Sequence, residues 1–163
     1  MTNSRNNAGR GGIFDGSGGL GAILNVFPLL LIPVLIYNFW AFGASVGAGE
    51  NPQSVTSQLG AVWFSMPMAS GATWTITFGD FMVLLALMFL FIELLKSTST
   101  GTSAIFNHAL SMLVFIICLV EFLLHPAFAT TGFFFIMIMA LLDVLAGVVV
   151  TIISARRDVE FAS

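Results

Sequence analysis

Charge is what this sequence has least of. Asp, Glu, Lys and Arg make up 8% of its residues, where a soluble domain carries roughly a quarter. So little charge cannot cover a folded surface against water, so lipid must cover much of this chain. Basic residues are scarcer still, five against eight acidic ones for a formal net charge of −3. Five cations cannot neutralise a run of phosphates, which excludes nucleic acid as a partner. The one cysteine, Cys118, excludes an internal disulfide and any metal site built from cysteine alone. It falls in an apolar run, where a thiolate nucleophile is disfavoured. Glu-x-x-His pairs and phosphate-cradling glycine patterns are both missing. His108 and His125 lie about 25 Å apart along one helix, so they do not form a facing haem pair. These absences predict no catalytic residues, no metal and no cofactor, in a protein that is not an enzyme.

What the chain has in abundance is apolar length. Hydrophobic residues make up 58% of it, and the mean hydropathy is +1.01. Crossing a hydrocarbon core takes about 20 helical residues, and four segments approach or reach that length. They run from about 20 to 42, 78 to 96, 104 to 124 and 131 to 154. Their apolar runs are unbroken, whereas a spanning strand alternates. Backbone groups in lipid must be satisfied within the segment, so the four are helices. The expected fold is an all-α membrane protein, a four-helix transmembrane bundle with a short β-hairpin in the first outer loop. Residues 1–19, rich in Gly and Asn, form a flexible cytoplasmic tail ahead of one transmembrane domain over 20–163.

Four crossings gather every basic residue on one side. Arg5 and Arg10 precede the first span, Lys96 lies between the second and third, and Arg156 with Arg157 follows the fourth. The outer loops, about 43–77 and 125–130, hold no Lys or Arg. Positive-inside bias therefore predicts that both termini are cytoplasmic. A cleaved signal peptide ending near Val46-Gly47-Ala48 is the competing reading of the N-terminus. The length of its apolar stretch counts against it, as do Pro28 and Pro33.

The first outer loop carries its own pattern. Residues 73–78 alternate Thr with Trp74, Ile76 and Phe78, the signature of a half-buried strand. A second extended run over 62–68 and a turn at Ala69-Ser70-Gly71 make a hairpin over about 62–77. Trp63 and Trp74 would be its interfacial anchors. A re-entrant or interfacial helix is the alternative, because Pro67 weakens the first strand. Thr77 and Asp80 fit a capping box opening the second span, and Ser103 and Thr130 fit caps for the third and fourth.

Ionisable residues inside spans are costly and mark functional candidates. Here they are Glu93, His108, Glu121 and Asp143, with His125 at a boundary. No Lys or Arg falls deep in a span, so these acids are expected to lack a permanent cation. Asn107, Ser111, Val114, Cys118, Glu121 and His125 fall on one stripe of the third helix. Lipid does not tolerate such a stripe, so it must face the bundle or a partner. Glu121 and His125, four apart, are placed to bond each other. Asp143 lies near the middle of the fourth span, sharing a face with Ala140 and Gly147. Glu93 sits three residues before Lys96, where an exposed i,i+3 pair or snorkelling accounts for it, and a Glu93–His108 contact is open to it. Asn25 and Asn38 lie near the ends of the first span, and Pro28 and Pro33 predict kinks in it.

Gly79-Asp80, the run 93–97, Asn107-His108-Ala109-Leu110-Ser111, the run 120–124 and Leu142-Asp143-Val144 resemble small four-span inner-membrane proteins of proteobacteria that are themselves uncharacterised. The resemblance implies a bacterial inner-membrane location and brings no activity with it. Two readings follow. The chain packs against itself or a larger membrane complex as a non-catalytic accessory or assembly subunit. Alternatively it forms a proton-linked channel or transporter component using its intramembrane carboxyls.

Overall fold

The computed structural model describes residues 26–48, 52–96 and 102–161. In chain order the elements are α1 (Leu31–Ala48), α2 (Pro52–Leu59), β1 (Val62–Pro67), β2 (Thr73–Thr77), α3 (Phe78–Lys96) and α4 (Thr102–Leu124). A 3-10 turn (Pro126–Phe128) and α5 (Thr131–Phe161) complete the chain. The structure is thus mostly helical with one two-stranded sheet. Among the described residues, three stretches are long and apolar enough to cross a membrane: Phe78–Lys96, Ala104–Leu124 and Thr131–Ile153. Their ends match the second and third expected spans closely, while α5 continues past the expected end of the fourth. The proposed tail, Arg5, Arg10 and Asn25 lie outside the described residues, as does most of the loop between α3 and α4.

The first expected span differs. Within the described residues its helix is α1, Leu31–Ala48, 18 residues or about 27 Å at the α-helical rise. Its apolar part, Leu31–Gly43, begins only after a break at Pro28; residues 20–25 of the expected span lie outside the described residues. Pro28 interrupts the helix here: it supplies no N–H and disfavours helical backbone at the residue before it, Phe27. The chain enters α1 through tight turns, with the Leu31 N–H on Pro28 O (3.1 Å) and the Ile32 N–H on Leu29 O (3.0 Å). Pro33 bends nothing, because it sits in the first turn of α1, where a missing N–H is tolerated.

α5 is the central helix: 44% of its apolar window is buried, against 22% for α3 and for α4. It runs antiparallel to α4, with His108 at Gly147 and Phe122 on Phe134, ring centroids 5.6 Å apart. It runs parallel to α3, where Gly132 approaches Val83 and the Gly79 carbonyl. Near the 3-10 turn an aromatic layer closes the core. Tyr37 lies 5.6 Å from Phe128 and 4.8 Å from Phe133 between centroids, and its hydroxyl is 2.6 Å from Thr130 Oγ1. Away from this core the helices expose large apolar side chains, among them Phe91, Phe106, Leu113 and Val149. Such a surface is suited to lipid.

The hairpin forms where alternation placed it, and the helical alternative for 62–77 is excluded. Phe64 pairs with Ile76 and Met66 with Trp74, while Ser65 pairs with Thr75 and Pro67 with Thr73. Facing residues share a side of the sheet, so one face is apolar and the other is Ser, Thr and Pro. The Met68 N–H bonds Ala72 O at 2.8 Å. Alternation of the antiparallel ladder then places Pro67 at a non-hydrogen-bonded position, where its missing donor costs nothing. Gly71 closes the turn with φ +82°. A bulge at Trp63 shifts the register and lets its ring pack 4.5 Å from that of Phe81. Helix α2 has no counterpart among the expectations. It is short and polar, yet buries Val55 and Leu59 against the bundle.

Candidate functional site: a polar layer between the helices

Three helices bring their polar residues to one level. Glu93 of α3, Asn107 and Ser111 of α4 and Asp143 of α5 are all at most 2% exposed. The parallel register of α3 and α5 sets Glu93 beside Asp143. The antiparallel register of α4 and α5 sets Ser111 beside Asp143 and His108 one turn nearer the Lys96 end.

Half of this layer is a closed network. Glu93 Oε1 accepts from Lys96 Nζ at 2.8 Å and from Asn107 Nδ2 at 2.6 Å. Its other oxygen accepts the Leu29 backbone N–H at 2.7 Å. Lys96 Nζ also donates to Phe27 O at 2.8 Å and to Asn107 Oδ1 at 3.2 Å. The ammonium and the carboxylate therefore hold the two backbone groups that flank Pro28, groups that the broken helix leaves without intrahelical partners. This corrects two expectations. The Glu93–Lys96 pair is buried, not exposed, its side chains being 0% and 6% accessible. One interior acid does own a permanent cation. Counting depth by Cα misplaces Lys96, whose four-carbon stem turns back into the bundle.

The other half is unpartnered. Both Asp143 oxygens, Ser111 Oγ and His108 Nδ1 are buried with no hydrogen-bond partner. The Ser111 hydroxyl stands near the Asp143 carboxyl without reaching good hydrogen-bond geometry, Glu93 and Lys96 act on that carboxyl through space, and His108 likewise feels Glu93 and Lys96. The imidazole lies flat in a notch made by Gly147, where any Cβ would collide with its ring. Glu93 and His108 form no hydrogen bond.

The stripe on α4 points into the bundle over most of its length, with Asn107, Ser111, Val114 and Cys118 buried. Its outer end behaves differently. Glu121 does not bond His125; Asn38 Nδ2 donates to Glu121 Oε2 at 3.1 Å and to Val34 O at 3.1 Å. His125 instead accepts the Ala127 N–H at 3.3 Å and packs edge-on against Phe42 and Phe128. It caps the 3-10 turn. Asn38 and Glu121 are the polar residues lining a groove of about 300 Å³ between α1 and α4, otherwise lined by apolar side chains including Leu35, Phe39, Phe42 and Ile117. Between this pair and Asp143 the core is apolar: Val114, Cys118, Ile136 and Met137 are all buried.

The cap residues do the structural work expected of them. The Thr77 N–H donates to Asp80 Oδ2 at 2.9 Å and the Asp80 N–H returns to Thr77 Oγ1 at 3.2 Å, a capping box. Thr130 Oγ1 accepts the Phe133 N–H at 3.2 Å. The side chain of Ser103 lies outside the described residues. Trp63 and Trp74 are 62% and 48% exposed, on the hairpin. Among the described residues, no three His, Cys, Asp or Glu side chains converge as a metal site would need.

Sequence reasoning missed Lys96, Asn38 and Gly147. A signal for Lys96 was present: a proline break leaves backbone groups in need of partners, and one acid–base pair stands at that depth. Set against known protein families, curated proteins and solved structures, the chain matches none of them.

Proposed function

We propose that the chain is a four-span bundle of a bacterial inner membrane, both termini cytoplasmic, acting as a non-catalytic accessory or assembly subunit of a membrane complex. The resemblance to small four-span proteins of proteobacteria fits that location. The observation that carries the reading is the groove between α1 and α4. A half-buried carboxyl and amide, Glu121 and Asn38, line an otherwise apolar cleft whose lining residue Phe39 is 85% exposed. Acyl chains offer nothing to such a pair, whereas a partner helix bearing a Ser, Thr or Asn hydrogen-bonds it and fills the cleft. The proposed occupant is a transmembrane helix of another subunit.

Gentle extraction from the source membrane, followed by native mass measurement, tests this. The expected result is co-elution in a larger complex that Glu121→Leu with Asn38→Leu disperses while the chain stays folded. A monomer in wild type, or a complex indifferent to that double change, overturns it. The second reading, a proton-linked channel, draws support from Asp143. The apolar packing of Val114, Cys118, Ile136 and Met137 beyond it counts against conduction through a single bundle. Proton flux in liposomes that is lost in Asp143→Asn would favour that second reading.

A further inference from the structure

Two buried carboxyls share one layer with one ammonium. Glu93 holds Lys96 directly and takes three hydrogen bonds in all. Asp143, 1% exposed, takes none of good geometry, the Ser111 hydroxyl being the donor that stands near it. An ionised carboxylate deprived of water, donors and a contacting cation is strongly disfavoured. The layer is balanced when Glu93 is ionised, Lys96 is charged and Asp143 carries a proton. The titratable neighbours among the described residues come from two helices. α3 offers Glu93 and Lys96, and α4 offers His108. The one titratable side chain of α1, Tyr37, is bonded to Thr130 far along the bundle.

We propose that Asp143, with Ser111 and His108, is a reversible proton-binding site that opens only toward the Lys96 end of the bundle. The polar residues run from Lys96 through Asn107 and His108 to Ser111 and stop there. Val114, Cys118, Ile136 and Met137 seal the opposite direction. When the carboxyl releases its proton, the O–H bond breaks and its electron pair stays on the carboxylate. The proton leaves on a water entering from the Lys96 end and is taken up by the His108 imidazole, which sits one helical turn from Asp143 at Gly147 with its Nδ1 unpartnered, and from there it passes to bulk water. With the proton on His108 the layer stays neutral, two carboxylates facing an ammonium and an imidazolium. Gly147 is the enabling residue, because any side chain there would expel His108 from the layer. The site binds and releases a proton without conducting it, and it does not rest on the docking groove.

The test is infrared difference spectroscopy of the full chain in lipid nanodiscs, titrated from acid to alkaline pH. The expected result is a C=O stretch of a protonated carboxyl that shifts on transfer to D2O and disappears as pH rises. Asp143→Asn lacks that band. Asp143→Glu, which keeps an acid in place if the amide does not fold, moves its frequency. His108→Gln retains the band and displaces its midpoint by about one pH unit or more. Three results overturn the proposal. The first is no band belonging to Asp143. The second is a band that neither exchanges with D2O nor titrates, which would make it a permanently buried acid. The third is a band removed by sodium at constant pH, which would make the site a cation site.

Discussion

At the scale of single residues, Glu93 and Gly147 carry opposite lessons. Removing the Glu93 carboxylate strands the Lys96 ammonium, the Leu29 N–H and the Asn107 amide in the interior. Breaking a buried pair from one side typically costs about 3–5 kcal/mol. Glu93→Leu is therefore expected to lower stability by that amount in mixed-micelle unfolding. Glu93→Leu combined with Lys96→Met should lose clearly less than the sum of the single changes, since neither charge is then left alone. A cost below about 1 kcal/mol for Glu93→Leu would mean that the pair holds nothing. Gly147→Ala is overpacking: the added methyl meets the His108 ring, for about 1–3 kcal/mol, and His108→Ala in the same chain should recover most of it. The stripe on α4 was legible because lipid penalises Asn and Ser at helical spacing. The Glu121–Asn38 bond was not, because it joins residues far apart in sequence, and a plausible local partner, His125, was at hand. Tertiary distance decides between such partners, and periodicity does not contain it.

At the scale of elements, local chemistry was the better guide. Strict Thr alternation gives β2, and Thr77 with Asp80 gives the start of α3, both set by contacts within a few residues. Helix α2 escaped because eight residues with only Val55 and Leu59 as large apolar side chains carry no helical signal of their own. Its order comes from Val55 and Leu59 reaching the bundle, a tertiary effect. Thr130 joins two elements, capping α5 through the Phe133 N–H and meeting the Tyr37 hydroxyl. Thr130→Ala should therefore cost about 1–2 kcal/mol, more than the roughly 1 kcal/mol of Tyr37→Phe. Hydrogen exchange should speed up in the first turn of α5 in the former only. Equal exchange in the two variants would show that the cap contributes nothing. In the hairpin, Gly71→Ala places a side chain at φ +82° and should weaken the turn by about 1 kcal/mol, read as faster exchange at the Met68 N–H.

At the scale of the whole molecule, the question is how many times the chain crosses. α3, α4 and α5 are each long enough, but three crossings would split the basic residues between the two sides. Helix α1, Leu31–Ala48, covers about 27 Å against the roughly 30 Å of a hydrocarbon core, and the chain is broken just before it at Pro28. Lys96 and Glu93 make a fourth crossing workable, because they bond the backbone on both sides of Pro28 and let a broken segment stay in lipid. Broken helices survive in membranes where neighbouring side chains re-satisfy the freed groups. Four crossings place residue 4 and the hairpin on opposite sides; three place them together. A cysteine at Ser70, on the exposed turn, and another at Ser4 distinguish these in a Cys118→Ala background, the native thiol being fully buried. In inside-out vesicles an impermeant maleimide should label Ser4→Cys at once and Ser70→Cys only after permeabilisation. Labelling of both from one side would leave three crossings, separate Lys96 from Arg5 and Arg10, and remove the charge argument for orientation. Lys96→Met offers the complementary check. If the Lys96–Glu93 clamp is what holds the broken segment in lipid, its loss should expose Ser4→Cys and Ser70→Cys to label from the same side.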